Sequence, residues 1–119
     1  METIIFKTRD ELFKVNIEKL VYAMADDNYI YLYFHNKQSI MICMTLQALE
    51  KMILNMSLKN DKLMFIKIGR KYIINHYYIA QINIPKQQLI LSDWDTISPI
   101  ILSAPKEALR TLKQTITTK

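Results

Sequence analysis

Apolar positions follow two periods along this 119-residue chain. For most of its length they come in short alternating or continuous blocks between polar turns, the pattern of strands. Residues 3–8, 12–16, 19–25, 29–35 and 38–44 read as five strands. In the second, Leu12, Lys14 and Asn16 alternate with Phe13 and Val15. Asp26-Asp27-Asn28 reads as a turn, and His35-Asn36-Lys37 as the bend of a hairpin. The period then lengthens: Leu46, Leu49, Ile53 and Met56 share one helical face, with Thr45 as N-cap. Beyond a polar loop over 57–62, residues 63–68 read as a strand. Residues 71–77 fit either a strand or a turn of helix. Residues 79–84 and 89–92 flank a hairpin turn, Pro85-Lys86-Gln87-Gln88. Residues 97–103 form a last strand, which Pro99 marks as a sheet edge. Ser103-Ala104-Pro105-Lys106-Glu107 opens a C-terminal helix with the stripe Ala108, Leu109, Leu112 and Ile116. The expected architecture is mainly β, with nine or ten antiparallel strands and two short helices. It forms a single domain over residues 1–119, with no linker, low-complexity segment or repeat.

Composition adds a real core to this outline. Half of the residues are hydrophobic, too many for a disordered basic tail. No apolar run approaches the roughly 18 residues of a membrane span, and the first residues lack the features of a secretory signal. Cys43 is the single cysteine. Within the apolar run Ile40-Met41-Ile42-Cys43-Met44 it reads as a buried, reduced thiol. A cytoplasmic location with no membrane partner fits these features.

Charge narrows the function. The net charge is +5, and all of it is accounted for by residues 59–86, which hold Lys59, Lys62, Lys67, Arg70, Lys71 and Lys86 against Asp61 alone. A basic segment inside a neutral chain points to a polyanionic partner, nucleic acid first. Enzyme chemistry finds little support. His35 and His76 have no second ligand at metal spacing, and one glycine cannot build a phosphate-cradling loop. The paired acids Asp26-Asp27 and Asp93-Trp94-Asp95 read as solvated turns. No cofactor or metal is implied. At the centre of the basic segment stands Gly69-Arg70-Lys71. Glycine permits close approach or positive φ, arginine forks onto guanine or phosphate, and lysine neutralises phosphate. A tight turn with solvated charges fits the same three residues.

The segment Phe65-Ile66-Lys67-Ile68-Gly69-Arg70-Lys71-Tyr72-Ile73-Ile74-Asn75, followed by Tyr78-Ile79 and Ile82, resembles the signature of LytTR-type DNA-binding domains. That signature runs Phe-x-Arg-x-His-Arg-Ser-Tyr-x-Val-Asn. Residues 20–30 resemble the family's strand-loop-strand, ending in an Asn-Tyr pair, and Thr45-Leu46-Gln47-Ala48-Leu49-Glu50 its central helix. Gly69 stands where the family has His, Lys71 where it has Ser, and Lys67 where Arg is common. Ala104-Pro105 intervene before the basic Lys106.

The resemblance implies an elongated β-fold of small stacked sheets, with loops that enter successive major grooves of double-stranded DNA. It implies a short helical turn over residues 71–75, with Asn75 bonding that turn's backbone. The family's His implies a negative φ at Gly69. Three places are implied to face DNA: Asn28 and Tyr29, Arg70 and Lys71, and Ser103 to Lys106. Lys67 is expected to meet phosphate. The implied function is bacterial transcription regulation by a domain without a receiver of its own, acting alone or through a separate signalling partner. The family's paired half-sites make a homodimer on DNA part of the expectation. Two alternatives stay open: a β-sandwich protein-interaction module, and a single-strand binder that stacks bases on Tyr29, Tyr31, Tyr33 and Phe34. The bland reading of the tyrosine row is that it packs on the core.

Overall fold

The structure, a computed structural model, describes residues 3–57, 64–95 and 98–117. Part of the expected polar loop, Lys59, Lys62 and the first residues of two expected strands (Leu63, Ile97) lie outside the described residues. The molecule is elongated, 44 × 30 × 26 Å. It is mainly antiparallel β in several small sheets. The strands are β1 (Thr3–Lys7), β2 (Leu12–Asn16), β3 (Leu20–Asp26), β4 (Tyr29–Phe34), β5 (Ser39–Ile42), β6 (Phe65–Ile68), β7 (Tyr72–Asn75), β8 (Ile79–Asn83), β9 (Gln88–Leu91) and β10 (Ile100–Ser103). The helices are α1 (Leu46–Ser57) and α2 (Lys106–Thr117). Thr45 caps α1 as its sequence position predicts, its hydroxyl accepting from the Ala48 N–H at 3.0 Å.

A five-stranded sheet in the order β5-β4-β3-β7-β6 forms the middle layer. One face is covered by the β1–β2 hairpin and α1. There Ile4, Phe6, Val15, Leu46, Leu49 and Ile53 pack on Ala23, Ile30, Leu32 and Ile73. The other face is covered by the sheet β10-β9-β8 and α2, where Leu89, Leu91, Leu102, Leu109 and Leu112 pack on Val21, Tyr72 and Ile74. Two apolar layers therefore share one sheet. Strands inside such a stack lose the polar face that makes alternation visible.

That is the reason for the first correction. The helical turn expected over residues 71–75 is the strand β7, with all four residues buried. The helical turn comes next, as the 3-10 turn His76–Tyr78. Asn75 heads it and is itself buried. Its Oδ1 accepts from the Tyr77 N–H at 3.0 Å, and its Nδ2 donates to the Leu20 carbonyl at 2.8 Å.

The second correction concerns repetition. Each half of the chain contains a hairpin, an Asn-headed 3-10 turn, a three-stranded meander and a helix. Asn16 heads the turn Ile17–Lys19 as Asn75 heads His76–Tyr78, its Oδ1 accepting from the Glu18 N–H at 3.1 Å. Each Asn lies opposite the first residue of its hairpin, Thr3 or Phe65. The strand after each turn shifts register at its second residue, between Leu20 and Tyr22 and between Ile79 and Gln81. The two halves are joined by β3 pairing with β7.

Two further expectations concern exposure. Cys43 is exposed, not buried: β5 ends at Ile42, and Cys43 falls in the bend before the helix cap. The tyrosine row divides. Tyr33 stacks on Tyr22 with ring centroids 4.5 Å apart, Tyr31 is half-buried, and Tyr29 is exposed. Burial first, then the neighbouring Tyr33 and Tyr72 phenols, push the Tyr22 phenol up to about 12.

Two predictions follow from these contacts. Asn75→Ala removes the bonds to the Leu20 carbonyl and the Tyr77 N–H, the first of them buried, and is expected to cost about 2–4 kcal/mol. Asn16→Ala, which removes one exposed cap bond, is expected to cost about 1 kcal/mol. Urea denaturation of both variants checks the difference, and equal losses would contradict it. The second concerns alkaline pH. Tyr22 keeps its proton in the folded state after the unfolded chain begins to lose it near the ordinary value of 10.0. Its contribution to stability is full below that pH and is lost as pH rises toward about 12. Tyr22→Phe is expected to flatten the fall in urea midpoint between about pH 9 and about pH 11.

Candidate nucleic-acid interface

The loops singled out in the sequence come together through backbone bonds. The β3–β4 turn carries Asp27 and Asn28, with Asp27 at φ 58. Beside it lies the three-residue β6–β7 loop, Gly69-Arg70-Lys71, joined to β3 by the Ala25 N–H donating to the Lys71 carbonyl at 2.8 Å. That loop faces the β10–α2 junction across a hollow of about 330 Å³, lined by Arg70, Lys71, Tyr72, Ser103, Ala104 and Pro105 among others. The junction in turn meets the β8–β9 turn, where the Ala104 N–H donates to the Gln87 carbonyl at 3.1 Å. Four turns from both halves of the chain thus form one continuous row.

The side chains along this row are turned outward. Asn28, Tyr29, Arg70, Lys71, Ser103 and Lys106 are all exposed. Lys71 holds its ammonium 5.5 Å from the centroid of the Tyr72 ring, a cation–π contact that limits its spread. Lys106 is the first residue of α2, whose free N–H groups add partial positive charge to the row. Pro105 opens that helix: its carbonyl accepts from the Leu109 N–H at 3.1 Å and starts the ladder.

Lys67 stands apart from the row. Alternation along β6 turns it to the same face as Phe65, toward α1, where its Nζ lies 3.7 Å from Glu50 Oε1. Two residues outside the three implied places also lie in the row, Lys86 and Gln87. Both are exposed, and Gln87 has φ 55. Lys86 was visible as charge, but its hairpin read as a plain connection. The signal that finds it is the internal repeat, in which the β8–β9 turn is the counterpart of the β3–β4 turn with Asp27 and Asn28.

Gly69 also departs from expectation, with φ +59 rather than a negative value. The reason lies in the family's His. His, like Asn and Asp, enters the left-handed region more readily than most side chains, so its presence did not imply ordinary backbone. A Cβ at Gly69 would meet nothing within 4 Å, so only conformational strain opposes a side chain there. Gly69→Ala is expected to cost about 1–2 kcal/mol and Gly69→Asn less than about 1 kcal/mol. Thermal denaturation of the pair checks this, and equal stability of wild type and Gly69→Ala would refute it.

No helix among the described residues is long and apolar enough to cross a membrane. No group of three or more His, Cys, Asp or Glu among them is placed to hold a metal ion. No curated protein sequence matches the chain. Among solved structures, it is similar to the LytTr DNA-binding domain of a protein described as a methyl-accepting/DNA response regulator from Bacillus cereus. The TM-score is 0.64 and the identity 21%, over 98% of this chain and 97% of that one. At that identity the likeness establishes the fold, mainly β in small sheets. The family model for the LytTr DNA-binding domain matches residues 10–116. That span runs from just before β2 into α2 and holds all four turns of the row, and the chain belongs to the LytTR family of DNA-binding domains.

Proposed function

We propose that the protein is a cytoplasmic bacterial transcription regulator that recognises a specific sequence in double-stranded DNA with the four-turn row. The observation that carries this reading is the convergence of Arg70, Lys71, Lys86 and Lys106, all exposed, on one edge of the molecule. Turns and the start of a helix, rather than a helix face, present these side chains, so the row suits entry of several short loops into the major groove. Arg70, at the centre of the row, is assigned to the base edge of a guanine, where its fork matches O6 and N7. Lys71, Lys86 and Lys106 are assigned to phosphates, which position the protein without reading sequence. Asn28 and Tyr29 at one end, and Ser103 beside Arg70, extend the polar contact. Binding of two copies to paired half-sites, and a signal delivered by a separate partner, belong to the same proposal.

The base-stacking alternative has a weak platform, because Tyr33 is engaged with Tyr22 and Tyr31 is half-buried. Tyr29 is left as the exposed ring of that row.

Selection of sites from a random duplex library, followed by titration at several salt concentrations, tests the reading. With about three phosphate-directed cations, log K against log salt is expected to have a slope of about −3. Arg70→Ala is expected to lose about 1–3 kcal/mol on the selected site and to relax preference at one base position. Lys86→Ala is expected to weaken all duplexes alike and to reduce the slope by about one unit. Lys67→Ala, at a residue turned toward α1 and away from the row, is expected to change neither. A preference for single strands, or an unchanged base preference in Arg70→Ala, would overturn the assignment.

A further inference from the structure

At the opposite end of β4 from the DNA-facing turn, the end of β2 and the β4–β5 hairpin enclose an open cleft of about 510 Å³. Tyr29 and Phe34, at the two ends of β4, lie roughly 17 Å apart along the strand, so the cleft is remote from the row. Its volume falls within the range of small-molecule sites. We propose that this cleft is a binding site for a small organic carboxylate with an apolar body.

The chemistry of the lining is one-sided. Lys14 and Lys19 both border the cleft, are exposed, and have no ion-pair partner among the described residues. No acidic residue is among those that line it. The amide oxygens there are already engaged. Asn16 Oδ1 accepts from the Glu18 N–H, Asn36 Oδ1 from the Gln38 N–H, and Gln38 Oε1 from Asn36 Nδ2, each at 3.1 Å. The NH₂ groups of Asn16 and Gln38 donate to no other described residue. Two ammonium groups and two free amide donors favour a ligand that accepts hydrogen bonds and carries negative charge. Val15, Phe34 and Ile40 add an apolar wall for its body.

Two further observations support a built site. The hairpin bend is held by the Phe34 N–H donating to the Gln38 carbonyl at 2.9 Å and the Lys37 N–H to the Phe34 carbonyl at 3.0 Å, with Lys37 at φ 71. It is tied to Lys19 by the His35 N–H donating to the Lys19 carbonyl at 3.0 Å. The backbone on this side of the cleft is therefore fixed. His35, which also lines it, has a buried Nδ1 with no hydrogen-bond partner among the described residues. Such an orphaned buried atom is uncommon in native structures.

The test is an amide-resolved NMR titration of the full chain with benzoate, benzyl alcohol and inorganic phosphate, each to roughly 10 mM, which reaches the millimolar affinities of small probes. Benzoate is expected to shift residues 14–19 and 34–40 saturably, with the other two probes weaker. Lys14→Gln combined with Lys19→Gln is expected to weaken benzoate by about tenfold or more. Arg70→Ala is expected to leave it unchanged, so the result is independent of the DNA-binding reading. Absence of saturable shifts in these segments overturns the proposal. So does an equal response to benzyl alcohol, which reduces the cleft to an apolar hollow, or saturation by phosphate alone, which reduces it to an inorganic-anion site.

Discussion

A buried carboxamide holds the two halves of this protein together. Asn75 closes the second 3-10 turn with its oxygen and reaches the Leu20 carbonyl with its nitrogen. The first bond is local, the second crosses to the start of β3. An aspartate there would accept but not donate, and an apolar side chain would lose both bonds, the one to Leu20 in a buried layer. The bond to Leu20 sits where β3 leaves its own turn, and so it helps define where β3 and β7 lie side by side. From that pairing follows the continuity of the five-stranded sheet, and from the sheet the position of every loop at its edge.

The same pairing explains why two similar halves give an asymmetric molecule. The meander of the first half finds the hairpin of the second and merges with it into the middle layer. The meander of the second half stays a separate three-stranded sheet and packs face-on against the middle layer. Each half contributes one helix to cover one face of the shared layer. Turns that are equivalent within the halves, one bearing Asp27 and Asn28 and the other Lys86 and Gln87, end up in a single row with the β6–β7 loop between them. The fold thus converts a repeat along the chain into a line of contacts along an edge.

Charge follows geometry more closely than it follows sequence. Lys67 and Arg70 are three residues apart, yet alternation in β6 sends Lys67 to Glu50 on α1 while the loop sends Arg70 to solvent. Lys86 and Lys106 are distant in sequence and meet because Ala104 bonds Gln87. A cation with no ion-pair partner keeps its full value for an incoming polyanion, whereas one already paired contributes less. The far end of β4 repeats the lesson, with Lys14 and Lys19 brought beside the amides of a bend about twenty residues away.

The sequence by itself determined most of the element list. Alternation placed β1 to β5 within a residue or two, the lengthened period and Thr45 placed α1, and Gly69-Arg70-Lys71 marked the central loop through its chemistry. These features are local: they depend on which side chains recur at spacing two or three to four, and on turn residues between them. Tertiary structure decided the rest. β7 was ambiguous because burial on both faces erases alternation. The repeat was invisible because it survives in backbone bonds and register, with little beyond Asn16 and Asn75 to show it in the residues. The sign of φ at Gly69 and the exposure of Cys43 depended on where strands end. The membership of the row and of the cleft depended on which turns the β3–β7 pairing brought together. Such contacts between distant residues leave no period in one sequence, because each partner satisfies its own local pattern whether or not the other is near.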